Sequence, residues 1–103
     1  METNANIIEK IHIKIKKPKK FIVFMHNDDF TTMEFVVAIL NDIFNKNIEE
    51  ANKIMMEVHK NGKGIAGIYP YDIAISKASK AMAIAKGEGF PFKLTVEEEW
   101  NGY

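Results

Sequence analysis

Cysteine is absent from this chain of 103 residues, and so is arginine, because all 14 basic residues other than histidine are lysines. Without cysteine the chain has no disulfide bond, no thiolate metal site and no cysteine nucleophile, which suits a reducing compartment. Without arginine it lacks the bidentate group that most often reads guanine in DNA. We therefore expect no nucleic-acid partner.

Long apolar runs are also missing from the sequence. No run approaches the roughly 20 residues of a membrane span, and the first residues lack the continuous apolar core of a secretory signal. We therefore expect a cytoplasmic protein that does not engage a membrane. The length suits one domain with a modest single core, and we expect a monomer.

Charge is unevenly distributed, although the formal net charge is zero. Residues 1–20 contain six lysines and two glutamates, whereas the rest of the chain contains eight lysines and twelve acidic residues. Ile11, Ile13 and Ile15 alternate with polar residues, but Pro18 interrupts this pattern. We predict a flexible basic arm over residues 1–20, a folded core over residues 21–99 and a short tail over residues 100–103.

Apolar periodicity in the core predicts the order strand, helix, helix, strand, helix, strand. The predicted elements are strands at 21–25, 63–69 and 92–96, and helices at 32–45, from Ile48 to the Asn61–Gly62 stop, and from Pro70 to Gly87. This order indicates an α+β domain in which an antiparallel or mixed three-stranded sheet packs against three helices. Gly64 and Gly67 in the second strand allow a bulge or a close approach.

Polar residues mark the starts of the first two helices. Thr31 and Glu34 have the spacing of a capping box, in which a hydroxyl and a carboxylate each bind a free amide of the first turn. Asn47 and Glu50 repeat that spacing with a different residue pair.

Asn27, Asp28 and Asp29 lie where the first strand ends and the first helix begins. One interpretation is that these residues form only a turn, since Asn and Asp dominate turns. Two carboxylates and an amide in one place are nevertheless costly unless they are solvated, paired or given a cation. We favour the interpretation that they hold a cation.

A second group of residues shares one stripe of the second helix: Met55, Val58 and His59. A histidine beside apolar neighbours can be simply a partly buried side chain. If the two helices pack together, however, His59 approaches Asn27 and Asp29. Between them would lie an apolar cup formed by Met33, Val36, Met55 and Val58.

This combination suits a ligand with a bulky apolar side chain beside a positive group, such as the first residue of a polypeptide. Its α-amine has a pKa of about 7.7–8.0, so it is largely protonated at pH 7 and donates three hydrogen bonds. Carboxylate, amide and neutral imidazole groups accept them. An internal residue would leave these acceptors unpaired, at a cost of roughly 1–3 kcal/mol for each buried group.

Three segments together resemble the ClpS family, the adaptors of Clp proteases that recognise N-degrons. They are residues 27–36 (NDDFTTMEFV), 55–59 (MMEVH) and 61–65 (NGKGI), and the similarity extends in order over residues 21–97. The resemblance implies a fold like the C-terminal domain of the ribosomal stalk protein, and a non-enzymatic adaptor without a cofactor. It also implies binding of substrates that begin with Leu, Phe, Tyr or Trp. The resemblance implies that the adaptor delivers these substrates to a Clp AAA+ unfoldase of the ClpA or ClpC type.

The resemblance assigns roles to individual residues. Asn27, Asp29 and His59 would hold the α-amine, with Asp28 contributing to the same loop. The side-chain pocket would be lined by Thr31, Met33, Val36, Met55, Val58 and Phe92. Met33 would be a gate against β-branched Ile and Val. The family commonly has an aliphatic residue in place of Phe92.

The resemblance also assigns the partner surface. Asp72 and Lys77 fall in the region that docks the N-terminal domain of the unfoldase. The arm resembles the extension that such adaptors feed toward the unfoldase pore. Pro70 stands where a hydroxyl cap is expected before the third helix, which is a departure from the family pattern.

Two other functions remain open on the residues alone. His59 with Asp28 and Asp29 could bind a divalent metal or support hydrolysis, although His12 and His26 are not placed to complete such a site. The fold would equally permit a structural interaction module without a ligand pocket.

Overall fold

The structure is a computed structural model that describes residues 19–100. The predicted tail beyond Trp100 and the predicted arm, except Lys19 and Lys20, lie outside the described residues. The elements are β1 (Lys20–His26), α1 (Met33–Asp42), α2 (Ile48–Asn61), β2 (Lys63–Pro70), α3 (Tyr71–Gly87) and β3 (Lys93–Glu98). The predicted element order is confirmed. Within this part of the chain, no helix is long and apolar enough to cross a membrane.

The sheet has the order β2-β1-β3, and both pairings are antiparallel. Val23 pairs with Gly67 and the next residue, Phe24, pairs with Ile65, so Ala66 is an extra residue that forms a bulge in β2. A Cβ atom at Gly67 would overlap the ring of Tyr69, so any larger residue at this position would have to displace that ring. The predicted irregularity in the second strand is therefore present.

The core lies on one face of the sheet, where Val23 and Met25 of β1 are fully buried. Helix α3 contributes only alanines to this core (Ala74, Ala78, Ala81 and Ala85), and it contacts all three strands. Because these side chains are small, the α3 axis can lie close to the sheet. Helices α1 and α2 pack against each other, and α2 also contacts β2.

Helix α1 differs from its prediction at both ends. Its N-cap is Thr32, whose hydroxyl accepts a hydrogen bond from the amide of Phe35 at 3.1 Å. The predicted capping box on Thr31 is therefore wrong by one residue, because the Thr31 hydroxyl and amide both bind Asp28 instead. The helix ends at Asp42, and Asn45 at the predicted end has a left-handed φ of 57°.

Helix α2 has the ends that the sequence predicts. The side-chain oxygen of Asn47 accepts a hydrogen bond from the amide of Glu50 at 2.8 Å, and Gly62 closes the helix with a φ of 85°. Pro70 occupies the N-cap position of α3 without a side-chain cap, and α3 begins at Tyr71.

Candidate functional site

The loop after β1 is attached to the end of α2. The amide of Asn27 donates to the carbonyl of Gly62 at 2.9 Å, and the amide of Gly62 donates to the carbonyl of Val58 at 2.9 Å. The left-handed conformation of Gly62, which suits glycine, allows the chain to end α2 and present that carbonyl. These bonds place the loop beside the last turn of α2, which contains His59.

Asp28 fixes the conformation of this loop. One of its carboxylate oxygens accepts from the amides of Phe30 at 2.8 Å and Thr31 at 2.7 Å, and the other accepts from the Thr31 hydroxyl at 2.7 Å. Partial burial alone would raise the pKa of Asp28, but these three hydrogen bonds outweigh it and hold the pKa below its ordinary value. Asp28 is therefore an ionised residue whose oxygens are already engaged by the loop itself.

A cleft of about 470 Å³ lies between this loop, α1 and α2. Its floor is apolar and almost fully buried, and consists of Val36, Met55 and Val58. Asn27, Asp29 and His59 line the same cleft with exposed side chains, and Met33 is 41% exposed at the first position of α1. Thr31 and Asp28 complete the predicted residues that line it. The structure thus brings together all the residues predicted to bind the α-amine or to line the pocket, except Phe92.

Phe92 lies elsewhere in the molecule. Its side chain is 5% exposed within the hydrophobic core, and its ring stands edge-on to Phe35 with the centroids 6.1 Å apart. It does not line the cleft, so its predicted pocket role has no support from this placement.

The cleft is acidic. Its lining includes the carboxylates of Asp28, Asp29 and Glu34 and no lysine. Within residues 19–100, neither Asp29 nor His59 has a side-chain hydrogen bond or an ion pair. These acceptors are therefore available to a ligand, and their charge favours a cation that donates hydrogen bonds.

A metal ion is the other cation that carboxylates and imidazole can bind. In the described part of the chain, no group of three or more His, Asp or Glu side chains is arranged to hold one. Asp28, one of the three predicted ligands, is committed to the loop. The metal alternative is therefore not supported by the geometry.

Three residues that line the cleft in the structure were not placed there from the sequence: Phe30, Thr32 and Glu34. Phe30 is 74% exposed, which is unusual for a phenylalanine. An aromatic residue inside a run of Asn, Asp and Thr was the available signal, because a turn alone does not require it.

His26 ends β1 just before the loop, but its side chain belongs to the sheet. Its Nε2 shares a hydrogen bond of 2.7 Å with the hydroxyl of Thr95 on β3. Burial, followed by the charges of Lys93 and Lys63, lowers the pKa of His26 from its ordinary value. His26 is therefore a neutral strand residue at pH 7 and does not line the cleft.

The predicted docking residues lie in a different groove of about 470 Å³, between the end of α1 and the first half of α3. Asp72 is exposed there, whereas Lys77 is half-buried. The ammonium of Lys77 donates to the carbonyl of Ile43 at 2.5 Å and lies 5.3 Å from the ring centroid of Tyr69. Lys77 therefore joins α3 to the C-terminal end of α1, in addition to any role at the surface.

Fold and cleft together define a small α+β protein that combines an apolar cavity floor with a rim of hydrogen-bond acceptors. The family model described as ATP-dependent Clp protease adaptor protein ClpS matches residues 16–95. The chain belongs to this ClpS family.

Individual relatives agree with this assignment. The ATP-dependent Clp protease adapter protein ClpS of Clostridium acetobutylicum is 55% identical over 85 residues, which cover 82% of this chain and 84% of that protein. Its counterpart from Campylobacter jejuni (strain RM1221) is 50% identical over 86 residues, 84% of this chain and 90% of that protein. The structure of Agrobacterium tumefaciens ClpS2 bound to L-phenylalaninamide matches with a TM-score of 0.78 and 35% identity, and covers 81% of this chain and 100% of that chain.

Proposed function

We propose that this protein is a non-enzymatic adaptor that binds polypeptides by a free N-terminal Leu, Phe, Tyr or Trp. It then delivers them to a Clp AAA+ unfoldase in the cytoplasm for degradation. The observation that carries the proposal is the cleft itself, in which Asn27, Asp29 and His59 border an apolar floor. L-phenylalaninamide, the ligand of the Agrobacterium relative, supports it, because this molecule has the α-amine, side chain and carbonyl of a first residue.

The ammonium group of the substrate donates to three acceptors: the amide oxygen of Asn27, the carboxylate of Asp29 and the imidazole of His59. Asp28 acts on this set indirectly, because its hydrogen bonds to Phe30 and Thr31 hold the loop that presents Asn27 and Asp29. The negative charge of Asp28 also lies in the same cleft. The three carboxylates of the lining favour the protonated amine over a neutral N-terminus.

The substrate's side chain enters between α1 and α2 and covers Val36, Met55 and Val58. Leu and the aromatic side chains, none of which is branched at Cβ, suit this floor because burial of their apolar surface is the main favourable term. Two methionines line the cleft, Met33 at its mouth and Met55 in its floor, and flexible thioethers adapt to both Leu and aromatic rings.

A binding series tests this proposal. Peptides that differ only in their first residue, on one common backbone, are titrated against the protein by fluorescence anisotropy. Peptides that begin with Leu, Phe, Tyr and Trp are expected to bind most tightly, while those that begin with Gly, Ser, Asp or Lys bind weakly. A flat series, with no dependence on the first residue, would refute the proposal.

Delivery to the unfoldase is proposed to use the groove between α1 and α3. Asp72 is the better residue for a test, because replacing Lys77 would also remove its bond to Ile43 and disturb the end of α1. Asp72→Lys is expected to weaken binding to the N-terminal domain of a ClpA- or ClpC-type unfoldase about tenfold, because charge reversal replaces a complementary charge at the interface with a repulsive one.

The matched control for that prediction is Glu57→Lys, since Glu57 is an exposed acid on α2 that lines neither groove nor cleft. Binding to the unfoldase domain is measured by biolayer interferometry, and binding of a Phe-initiated peptide is measured in parallel. Asp72→Lys should leave peptide affinity unchanged. If Asp72→Lys and Glu57→Lys bound the unfoldase domain equally well, Asp72 would not be part of the docking surface.

A further inference from the structure

A second depression, which we call the outer groove, follows the seam between α1 and α2. Its volume is about 500 Å³, and Met33, Glu34 and Met55 line both it and the cleft. The two spaces therefore meet at these three side chains. A polypeptide whose first residue occupies the cleft can leave it across Met33 directly into the outer groove.

The length of the outer groove matches a short peptide segment. It extends along α1 from Met33, the first helical residue, to Asp42, the last. These ten residues are separated by nine helical rises of about 1.5 Å each, so they span about 13.5 Å. An extended peptide advances about 3.3–3.6 Å per residue, so about four residues cover the same distance.

The chemistry of the outer groove also suits such a segment. Its middle is apolar, with Val37 and Ala38 from α1 opposite Ile48 from α2. Ile48 is 57% exposed, an unusual fraction for an isoleucine without a partner. The charged residues that line the groove, Glu34 and Asp42, are both acidic.

We propose that the outer groove binds residues two to five of the substrate, with an apolar side chain against Val37 and Ile48 and a Lys or Arg beside Asp42. This inference rests on the proposed function of the cleft and extends it to the class of polypeptide that the protein prefers. The occupant is the substrate itself because the groove is continuous with the cleft that holds its first residue. Acidic segments are disfavoured, since they would face Glu34 and Asp42.

The test compares phenylalaninamide with three peptides of one common tail that begin Phe-Ala-Leu-Ala-Lys, Phe-Ala-Ala-Ala-Ala and Phe-Ala-Asp-Ala-Asp. The first peptide is expected to bind about fivefold more tightly than the second, from partial burial of the leucine and one exposed charge pair. The third should bind more weakly than the second. Phenylalaninamide, which has no second residue, reports on the cleft alone.

Two groove variants and two controls complete the experiment. Ile48→Lys and Asp42→Lys are expected to abolish the advantage of the Leu–Lys peptide and leave phenylalaninamide binding unchanged. Ile84→Lys on α3, where Ile84 is 41% exposed, and Glu57→Lys on α2 should preserve the advantage, because neither residue lines the groove. Both groove positions are exposed, so the variants are expected to fold, which circular dichroism checks.

The outcomes separate the two proposals. If phenylalaninamide binds but the three peptides bind equally, the groove assignment is wrong and the function of the cleft stands. The same conclusion follows if Ile48→Lys and Asp42→Lys behave like their controls. If neither phenylalaninamide nor any peptide binds the unmodified protein, the proposed function fails and the inference fails with it.

Discussion

Acetylation of the α-amine is expected to weaken binding of a Phe-initiated peptide at least about a hundredfold, which corresponds to about 2.7 kcal/mol. The modification removes the positive charge and leaves one N–H donor where the ammonium has three. Within residues 19–100, the side chains of Asp29 and His59 have no hydrogen-bond partner. When the ligand's N–H donors are removed, no donor from this part of the chain replaces them. Each acceptor left unpaired on binding costs roughly 1–3 kcal/mol.

Variants of the acceptors assign this effect to the cleft. Asp29→Ala and His59→Ala are each expected to weaken binding of the free-amine peptide about tenfold, and to have little effect on the acetylated peptide. The control is Lys60→Ala, because Lys60 is the exposed neighbour of His59 and does not line the cleft. Calorimetric titration of each protein with both peptides gives the coupling free energy between the substituted side chain and the α-amine of the peptide. Equal affinity for acetylated and free peptides would exclude recognition of the ammonium group.

The pH dependence follows from the ligand. The α-amine loses its proton with a pKa of about 7.7–8.0 in free peptides, and binding to an acidic cleft raises that pKa. Affinity for the free-amine peptide should therefore be full near pH 7 and fall as the pH rises above 8. Affinity for the acetylated peptide should stay constant over the same range.

The order of the elements was readable from the sequence because each depends on local patterns. The apolar run before Asn27 and the helical spacing after Thr32 predict a strand and a helix whatever surrounds them. The cap of α1 was misplaced because two threonines stand side by side at 31 and 32. The sequence does not show that the hydroxyl of Thr31 binds Asp28 and is therefore not the helix cap. The geometry of the loop decides which threonine caps α1.

The assembly of the site was only partly readable. His59 is thirty residues from Asp29, and their meeting depends on the bond between the Asn27 amide and the Gly62 carbonyl, which no periodicity encodes. The residues alone predicted that pairing only on the condition that the two helices pack together, and the family resemblance then implied it. It also placed Phe92 in the pocket, whereas the ring packs against Phe35 in the core. The resemblance likewise gave Lys77 a role in docking, and did not indicate that its ammonium also binds the carbonyl of Ile43 and lies near the ring of Tyr69.

Replacing Met33 with alanine is expected to admit peptides that begin with Ile or Val, raising their affinity about thirtyfold or more. A β-branched residue carries its extra methyl group next to the backbone, so the clash occurs at the mouth of the cleft, where Met33 lies. Overpacking of this kind costs about 1–3 kcal/mol, and removal of the methionine side chain relieves it. Peptides that begin with Phe or Leu should lose only a few-fold in affinity, because the buried floor remains intact.

The measurement is the ratio of affinities for Leu- and Ile-initiated peptides in the unmodified protein and in the variant. Met56→Ala is the matched control, since Met56 is 36% exposed on α2 and does not line the cleft. Both substitutions remove an exposed methionine from a helix, so they should affect the free energy of unfolding similarly, as urea denaturation checks. If Met33→Ala left the ratio of Leu to Ile binding unchanged, discrimination against β-branched residues would have to come from the floor of the cleft, and the gate would not be Met33.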